Sequence, residues 1–254
     1  MAKDPISRTS IFFQNVPADL AIGDDPAHER LFREYGSVFI ARGGVIPPDK
    51  IVFEDENDVS RFQSELKVRR RRIGTHELEL QSAAMDRLSD AIEEAEDNGL
   101  TITPRGADSA RRNYNDTIEL WKSRVEPALI HWVGLGRMTQ EQADAIRALS
   151  PYQQVPEVFV LEADGIFFAK DLSKSIIYSV APPGASQHLS LLAFDIAEFG
   201  NPDVRTILAK HFWYQTVVSD LPHFTFLGSD ESELPGLGLK KILNSDREFW
   251  MPAI

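Results

Sequence analysis

The segment WYQTVVSDLPHFTFL (residues 213–227) contains two runs of aromatic and β-branched residues that a short polar break separates. Such runs favour extended backbone, and a break of this kind favours a turn between two strands. We therefore predict strands over residues 213–217 and 223–227. Just upstream, Asn201 followed by Pro202 is typical of a helix start. A helix is expected to lead into these strands.

The first half of the chain carries helical patterns instead. Apolar residues recur at three- and four-residue steps in one stretch, which predicts a helix with a single apolar face that ends at Asn98-Gly99: Leu80, Ala84, Leu88, Ile92 and Ala95. Further helices are predicted over residues 57–66, 113–125 and 139–149. The last of these begins with Thr139 and Gln142, a capping-box pair.

Short apolar runs between turn-forming residues predict the remaining strands, at residues 38–41, 51–53, 100–102, 158–161, 166–168 and 176–178. Helices thus precede a mostly antiparallel sheet, which is an α+β arrangement. The first 75 residues are rich in Pro and Gly. We expect an N-terminal lobe over residues 1–75, followed by a main domain over residues 76–254.

Composition excludes several classes of function. The chain has 254 residues and a net charge of −12, which disfavours nucleic acid as a partner. The basic run Arg69–Arg72 is short and is expected to be a solvated surface run. Because there are no cysteines, disulfides, thiolate nucleophiles and Cys-ligated metals are excluded. Any metal site must use His, Asp and Glu, a set that zinc accepts.

The sequence contains no apolar run of the roughly 20 residues that a membrane span needs. The N-terminal stretch MAKDPISRTSIFFQNVP lacks the basic-then-apolar pattern of a signal peptide. As written, the chain is therefore expected to have no membrane span and no signal peptide.

Two of the six histidines lie in stretches that could place them at a site. His188 follows a loop-forming stretch, and Asp195 comes seven residues later among apolar residues. Burying a lone carboxylate is costly unless it is paired or binds a metal. On one continuous strand the two side chains would face opposite ways, so they converge only if the chain bends between them. Alone, this spacing is a weak signal.

Ser186-Gln187-His188 with Ala193-Phe194-Asp195 resembles the S-x-H-x-x-G-x-A-x-D signature of the zinc D-Ala-D-Ala carboxypeptidases and dipeptidases, the VanY- and VanX-like peptidases related to the hedgehog signalling domain. The second signature of that family, a Glu three residues before a His and an aromatic strand, is similar to residues 220–228. The helix and short strand that lead to Arg105 are similar to the family in order and spacing. The resemblance covers about residues 78–228.

The resemblance implies that Zn²⁺ is held by His188, Asp195 and His223, with a fourth position for water. It implies Asp220 as the general base and Arg105 as the residue that holds a carboxylate or a polarised carbonyl. Ser186 would be a hydroxyl that supports a zinc ligand or contacts the substrate. The implied reaction is hydrolysis of a peptide bond near the C-terminus of a peptidoglycan stem peptide, which places the protein outside the cytoplasm, in the bacterial cell envelope.

The chain departs from the family at several positions. Leu191 stands where the family has Gly, Asp220 where it has the catalytic Glu, Pro222 where it has Trp and Thr225 where it has Arg. Asp220 is one methylene shorter than Glu. A zinc-binding homologue with impaired catalysis, acting as a binding or structural module, is therefore the main alternative.

Two further readings need no metal. His188 and His223 could be hydrogen-bonded histidines at the rim of a sheet, with Asp195 satisfied by backbone donors. Ser186 could be a nucleophile, although its surroundings lack the second Gly of the G-x-S-x-G turn. Sensitivity to a chelator, and not to a serine-directed reagent, would separate the metal site from the serine nucleophile.

Overall fold

The computed structural model describes residues 9–20 and 26–254. Its helices are α1 (Ile11–Asn15), α2 (Pro26–Tyr35), α3 (Glu56–Ser64), α4 (Ser82–Asp97), α5 (Tyr114–Gly134), α6 (Gln140–Ala148), α7 (Pro151–Ala163) and α8 (Pro202–Lys210). Its strands are β1 (Val68–Ile73), β2 (His76–Gln81), β3 (Ala193–Asp195), β4 (Trp213–Gln215), β5 (His223–Phe226), β6 (Leu239–Asn244) and β7 (Arg247–Pro252). Short 3-10 helices cover Gly36–Ile40, Ile176–Tyr178, Gln187–Ser190 and Glu231–Leu237.

The site lies on a three-stranded antiparallel sheet in the order β3-β5-β4. Alternation along the strands gives this sheet two different faces. Phe194, Phe224 and Phe226 lie on one face, buried in the main hydrophobic cluster. Asp195 and His223 lie on the other face and are paired directly across β3 and β5. The predicted α+β class and the strands at residues 213–217 and 223–227 are confirmed, although both strands are slightly shorter than predicted.

The main hydrophobic cluster contains residues from both sides of residue 75. Phe12 and Phe32 belong to it together with Phe194 and Trp250. The hairpin β1–β2 also spans this position. The division into a lobe (1–75) and a main domain (76–254) stays a prediction, and residues 1–8 and 21–25 of that lobe lie outside the described residues.

The predicted helices are confirmed as α3, α4, α5, α6 and α8. Their starts follow from capping. Thr139 and Gln142 form the predicted capping box at α6. Asn201 caps α8 with Pro202 at its first position. Leu80 is an exception, because it lies in β2 and alternates there with Glu79 rather than opening α4.

The strands predicted between residues 158 and 178 are wrong. Residues 158–161 lie in α7, where Ser150 and Gln153 form a capping box and Pro151 stands at the first turn. Val155, Val158 and Glu162 are spaced as one buried helical face. These start signals override the β-branched run. Residues 176–178 form a 3-10 helix, and residues 166–168 have no regular structure.

The strands predicted at residues 38–41, 51–53 and 100–102 are also wrong. Residues 38–40 belong to a 3-10 helix, closed by the Ala41 N–H to the Val38 carbonyl at 3.2 Å. Residues 51–53 are buried but irregular. Residues 100–102 have no regular structure. Directly after them, the Thr103 N–H donates to the Glu198 carboxylate at 2.8 Å and not to the backbone of a neighbouring strand. An apolar run that is buried therefore does not by itself form a hydrogen-bonded strand.

Two hairpins, β1–β2 and β6–β7, were not predicted from the sequence. The run Arg69–Arg72 forms most of β1 and is largely exposed, as expected for a solvated surface run. Glu79 on β2 is buried between Arg70 and Arg111, which both donate to its carboxylate. Within residues 9–20 and 26–254, no helix combines the length and the apolar character that crossing a bilayer requires.

Buried Glu162 on α7 gives the fold a testable pH dependence. Burial raises its pKa above the ordinary 4.5, against the hydrogen bonds from Ser175 and the Ile176 N–H. An acid whose pKa is raised by folding stabilises the fold most when it is protonated, and this contribution is lost as the pH rises through the raised pKa. The free energy of unfolding of the wild type, relative to that of Glu162→Gln, is therefore expected to fall as the pH rises above about 4.5.

Urea unfolding at several pH values measures this difference. Glu157→Gln is the matched control, because Glu157 is exposed on the same helix. A difference that is flat, or that grows with pH, would contradict the assignment.

Candidate metal site

Three elements bring the predicted ligands together. His188 lies in the 3-10 helix Gln187–Ser190, Asp195 ends β3 and His223 begins β5. The predicted bend occurs at Leu191, which has left-handed backbone (φ 59°, ψ 30°) and reverses the chain between the first two ligands. Leu189 and Leu191 are fully buried against α3 and hold this turn in place.

The ligand atoms converge on one carboxylate oxygen. Asp195 Oδ1 lies 3.3 Å from His188 Nε2 and 3.3 Å from His223 Nδ1. Two ligand atoms that each bind zinc at about 2.0–2.1 Å in tetrahedral geometry lie about 3.3–3.4 Å apart. All three atoms lie within 4.8 Å of one another, and the residues are 1%, 9% and 4% exposed. This buried group could hold a metal ion.

Hydrogen bonds on the far side of each ring determine which nitrogen faces the cluster. His188 Nδ1 lies 2.7 Å from the Ala110 carbonyl, which can only accept, so Nδ1 carries the proton. His223 Nε2 lies 2.9 Å from the Gln187 carboxamide oxygen and donates to it in the same way. In their neutral forms, the two rings therefore present the lone pairs of His188 Nε2 and His223 Nδ1 to Asp195.

Three acceptors thus face one another without a donor between them. His188 Nε2 and Asp195 Oδ1 are buried and find no hydrogen-bond partner within residues 9–20 and 26–254. Buried polar atoms are normally satisfied, because leaving one unpaired costs about 1–3 kcal/mol. A cation at the centre would satisfy all three atoms at once. The residues therefore fit a metal ion.

Electrostatics keep the group in the form that binds metal. Burial lowers the pKa of His188 below its ordinary value, against the attraction of Asp195, so the ring is neutral near pH 7. Burial acts to raise the pKa of Asp195, but charge attraction and hydrogen bonding from His188 and His223, whenever either ring is protonated, outweigh burial and hold that pKa well below its ordinary value. Metal ligands must be deprotonated in this way.

Arg112 occupies the second oxygen of the Asp195 carboxylate. Its guanidinium donates from Nη2 to Asp195 Oδ2 at 2.8 Å, and from Nε to the Asp108 carbonyl at 3.2 Å. This leaves Oδ1 alone to face the histidines. Arg112 precedes Asn113, the N-cap of α5, and the capping box of α5 fixes the chain direction at this point.

A cleft of about 230 Å³ opens onto the His188–Asp195–His223 cluster. Its lining includes the three ligands and all three residues predicted to act beside them, Arg105, Ser186 and Asp220. Asp220 and Arg105 are exposed, whereas Ser186 is buried. Asp220 is placed by a turn in which the His223 N–H donates to its carbonyl at 3.1 Å. The backbone N–H of Arg105 donates to the Asp195 carbonyl at 3.2 Å.

Arg112 and Gln187 were not predicted from the sequence as residues of the site. Gln187 lies between Ser186 and His188 in the signature, at a position that the signature leaves open. Arg112 belongs to a dipeptide, Arg111-Arg112, directly before a helix N-cap. A cation at the start of a helix in an acidic chain was the available signal, but only the fold shows that it contacts Asp195.

The geometry weighs against both metal-free readings. The Asp195 side chain is bonded by the Arg112 guanidinium rather than satisfied by backbone donors. His188 directs one nitrogen to the Ala110 carbonyl and the other to Asp195, so neither nitrogen is turned to Ser186 as a general base.

Comparisons of the chain with protein-family models, with curated proteins and with solved structures found no match. The geometry of the cluster itself therefore carries the functional argument. That geometry is a buried His-Asp-His group able to hold a metal ion, at the base of a cleft.

Proposed function

We propose that this chain is a zinc-dependent metallopeptidase that resembles the D-Ala-D-Ala carboxypeptidases. One observation carries the proposal: two imidazole nitrogens each lie 3.3 Å from a single carboxylate oxygen, a separation typical of ligand atoms around tetrahedral zinc. Two His and one carboxylate form a ligand set typical of catalytic zinc, in which a fourth position stays open for water.

The backbone at Leu191 gives independent support to the family resemblance. The signature has Gly at this position, and a left-handed backbone is the conformation that Gly adopts at little cost. The chain keeps that turn with a leucine, whose buried side chain packs against α3. A left-handed turn thus lies between the first two proposed ligands, as the Gly of the signature would allow, although the residue here is leucine.

Bound zinc would act as a Lewis acid and lower the pKa of a bound water. The other roles belong to residues that line the cleft. Asp220 would take a proton from the attacking water and return it to the leaving amine. Arg105 and Arg112 would hold a substrate carboxylate or the developing oxyanion, for which guanidinium groups are suited. Ser186 would contact the substrate through its hydroxyl.

The proposed substrates are peptides that end in a free carboxylate, with peptidoglycan stem peptides as the class that the resemblance implies. The two arginines of the cleft support a C-terminal carboxylate as the recognised group. Such a substrate would place the protein outside the cytoplasm, in the bacterial cell envelope.

A zinc-binding protein without peptidase activity is the second candidate. Asp220 favours it, because its carboxylate is one methylene shorter than the glutamate it replaces and must reach the same water. Metal binding does not depend on Asp220, since the three proposed ligands form the cluster without it.

The test is release of D-alanine from a peptide that ends in D-Ala-D-Ala. We expect turnover that a chelator abolishes, that added zinc restores and that a serine-directed reagent leaves unchanged. If the zinc-loaded protein is inert and Asp220→Glu creates no activity, the peptidase proposal fails and the non-catalytic candidate stands.

A further inference from the structure

We infer that Gln187 is the positioning residue that makes His223 a metal ligand, and that the Tyr35 carbonyl in turn orients Gln187. This inference rests on the proposed metal site. It gives a role to the N-terminal segment, which supplies Tyr35 at the end of α2.

The Gln187 side chain is buried (3% exposed), and three groups contact its carboxamide. The amide nitrogen donates to the Tyr35 carbonyl at 2.9 Å. The amide oxygen accepts from His223 Nε2 at 2.9 Å and from the Thr225 hydroxyl. The carboxamide of Gln187 therefore links the N-terminal segment to strand β5.

Only one orientation of the carboxamide satisfies these contacts. A backbone carbonyl cannot donate, so the amide NH₂ must face Tyr35 and the amide oxygen must face His223. That oxygen can only accept, which requires the proton of the His223 ring on Nε2. In the neutral ring, Nδ1 is then left with its lone pair toward Asp195 Oδ1. A flipped carboxamide would set NH₂ against His223 and favour the opposite tautomer.

Two threonines reinforce this orientation. The Thr225 hydroxyl gives its proton to Gln187, so the Thr216 hydroxyl, 2.6 Å away, must donate to Thr225. Both threonines are fully buried. At the other end, the Tyr35 hydroxyl donates to the Ile177 carbonyl at 2.8 Å, which fixes the residue whose carbonyl orients Gln187. A chain of buried hydrogen bonds, in which each donor and acceptor has one possible role, thus fixes the orientation and the tautomer of the His223 ring.

Partners of this kind matter for metal affinity, because they fix the tautomer and the orientation of a ligand, and their loss typically costs about 10–100-fold in affinity. We expect Gln187→Leu to weaken zinc binding by about that factor. Gln187→Glu is expected to bind zinc within a few-fold of wild type. Either carboxylate oxygen accepts from His223, so this variant loses the bond to Tyr35 but keeps the His223 tautomer.

The readouts are zinc affinity by chelator competition and, in the metal-free protein, long-range ¹H–¹⁵N NMR of histidine to locate the His223 proton. Gln154→Leu is the matched control, since it removes another part-buried carboxamide, which accepts from Trp121 away from the cluster. We expect the proton on Nε2 in wild type and Gln187→Glu, and a mixture or Nδ1 in Gln187→Leu.

A proton on Nδ1 in the wild type would overturn the inference, even if the leucine variant does not fold. Wild-type zinc affinity in Gln187→Leu, with the proton still on Nε2, would overturn it as well. If the wild type binds no zinc, the proposed function fails instead, while the NMR measurement still decides the role of Gln187.

Discussion

The Asp195→Ala variant is expected to lose zinc affinity by well over the roughly 100-fold that loss of an outer hydrogen-bonding partner costs. Asp195 is the anionic member of the proposed ligand set, and its Oδ1 lies 3.3 Å from both histidine nitrogens. Without it, two neutral rings remain beside the Arg112 guanidinium, whose positive charge then repels the metal ion instead of balancing a carboxylate. Competition with a chelator of known affinity measures the change.

Asp108→Ala is the matched control for this variant. Asp108 lies 3.9 Å from the same guanidinium, but its side chain is 71% exposed and contacts no proposed ligand. The Asp108→Ala variant is expected to bind zinc with the affinity of the wild type. Thermal unfolding checks that both variants are folded. Equal zinc affinity in folded Asp195→Ala and Asp108→Ala would show that Asp195 is not a metal ligand.

The Asp220→Asn variant is expected to keep its zinc and to lose about 10²–10⁴-fold in kcat, the usual contribution of a general base. The amide keeps the size of the side chain but cannot take a proton from water. Asp220 lines the cleft beside His223 but does not belong to the His188–Asp195–His223 cluster. The substitution should therefore lower kcat without lowering the zinc content. Steady-state hydrolysis of a peptide ending in D-Ala-D-Ala, with zinc content measured on the same samples, checks both.

Asp97→Asn, an exposed change at the end of α4, serves as the control and is expected to leave kcat unchanged. An unchanged kcat in Asp220→Asn would assign the general base to another group. Loss of zinc in this variant would place Asp220 among the residues that hold the metal.

Local composition singled out His188 and Asp195 in the sequence, and the resemblance to the zinc carboxypeptidases completed the candidate ligand set with His223. A carboxylate among apolar residues, and a histidine at the start of an aromatic strand, stand out without knowledge of the fold. The sequence did not show how the side chains of His188 and Asp195 come together, since a spacing of seven residues on one strand would place them on opposite faces. The left-handed turn at Leu191 brings them together, and leucine gives no sign of such a turn.

The elements that the sequence did not predict depend on distant contacts. The run Val158–Leu161 has the composition of a strand, but capping at Ser150 and burial of one face make it a helix. Arg112, just before the N-cap of α5, contacts Asp195 at the end of β3 only because the fold brings these two elements together. The tautomer of His223 depends on a carbonyl more than 180 residues away in sequence, at Tyr35. Local composition carries no information of that kind.

The metal content of the purified protein tests the central claim most directly, measured by elemental analysis beside the His223→Ala variant and without added chelator. About one equivalent of zinc in the native protein, lost in the variant, is the predicted result. No metal in the native protein, even after zinc is supplied, would contradict the claim that His188, Asp195 and His223 form a zinc site.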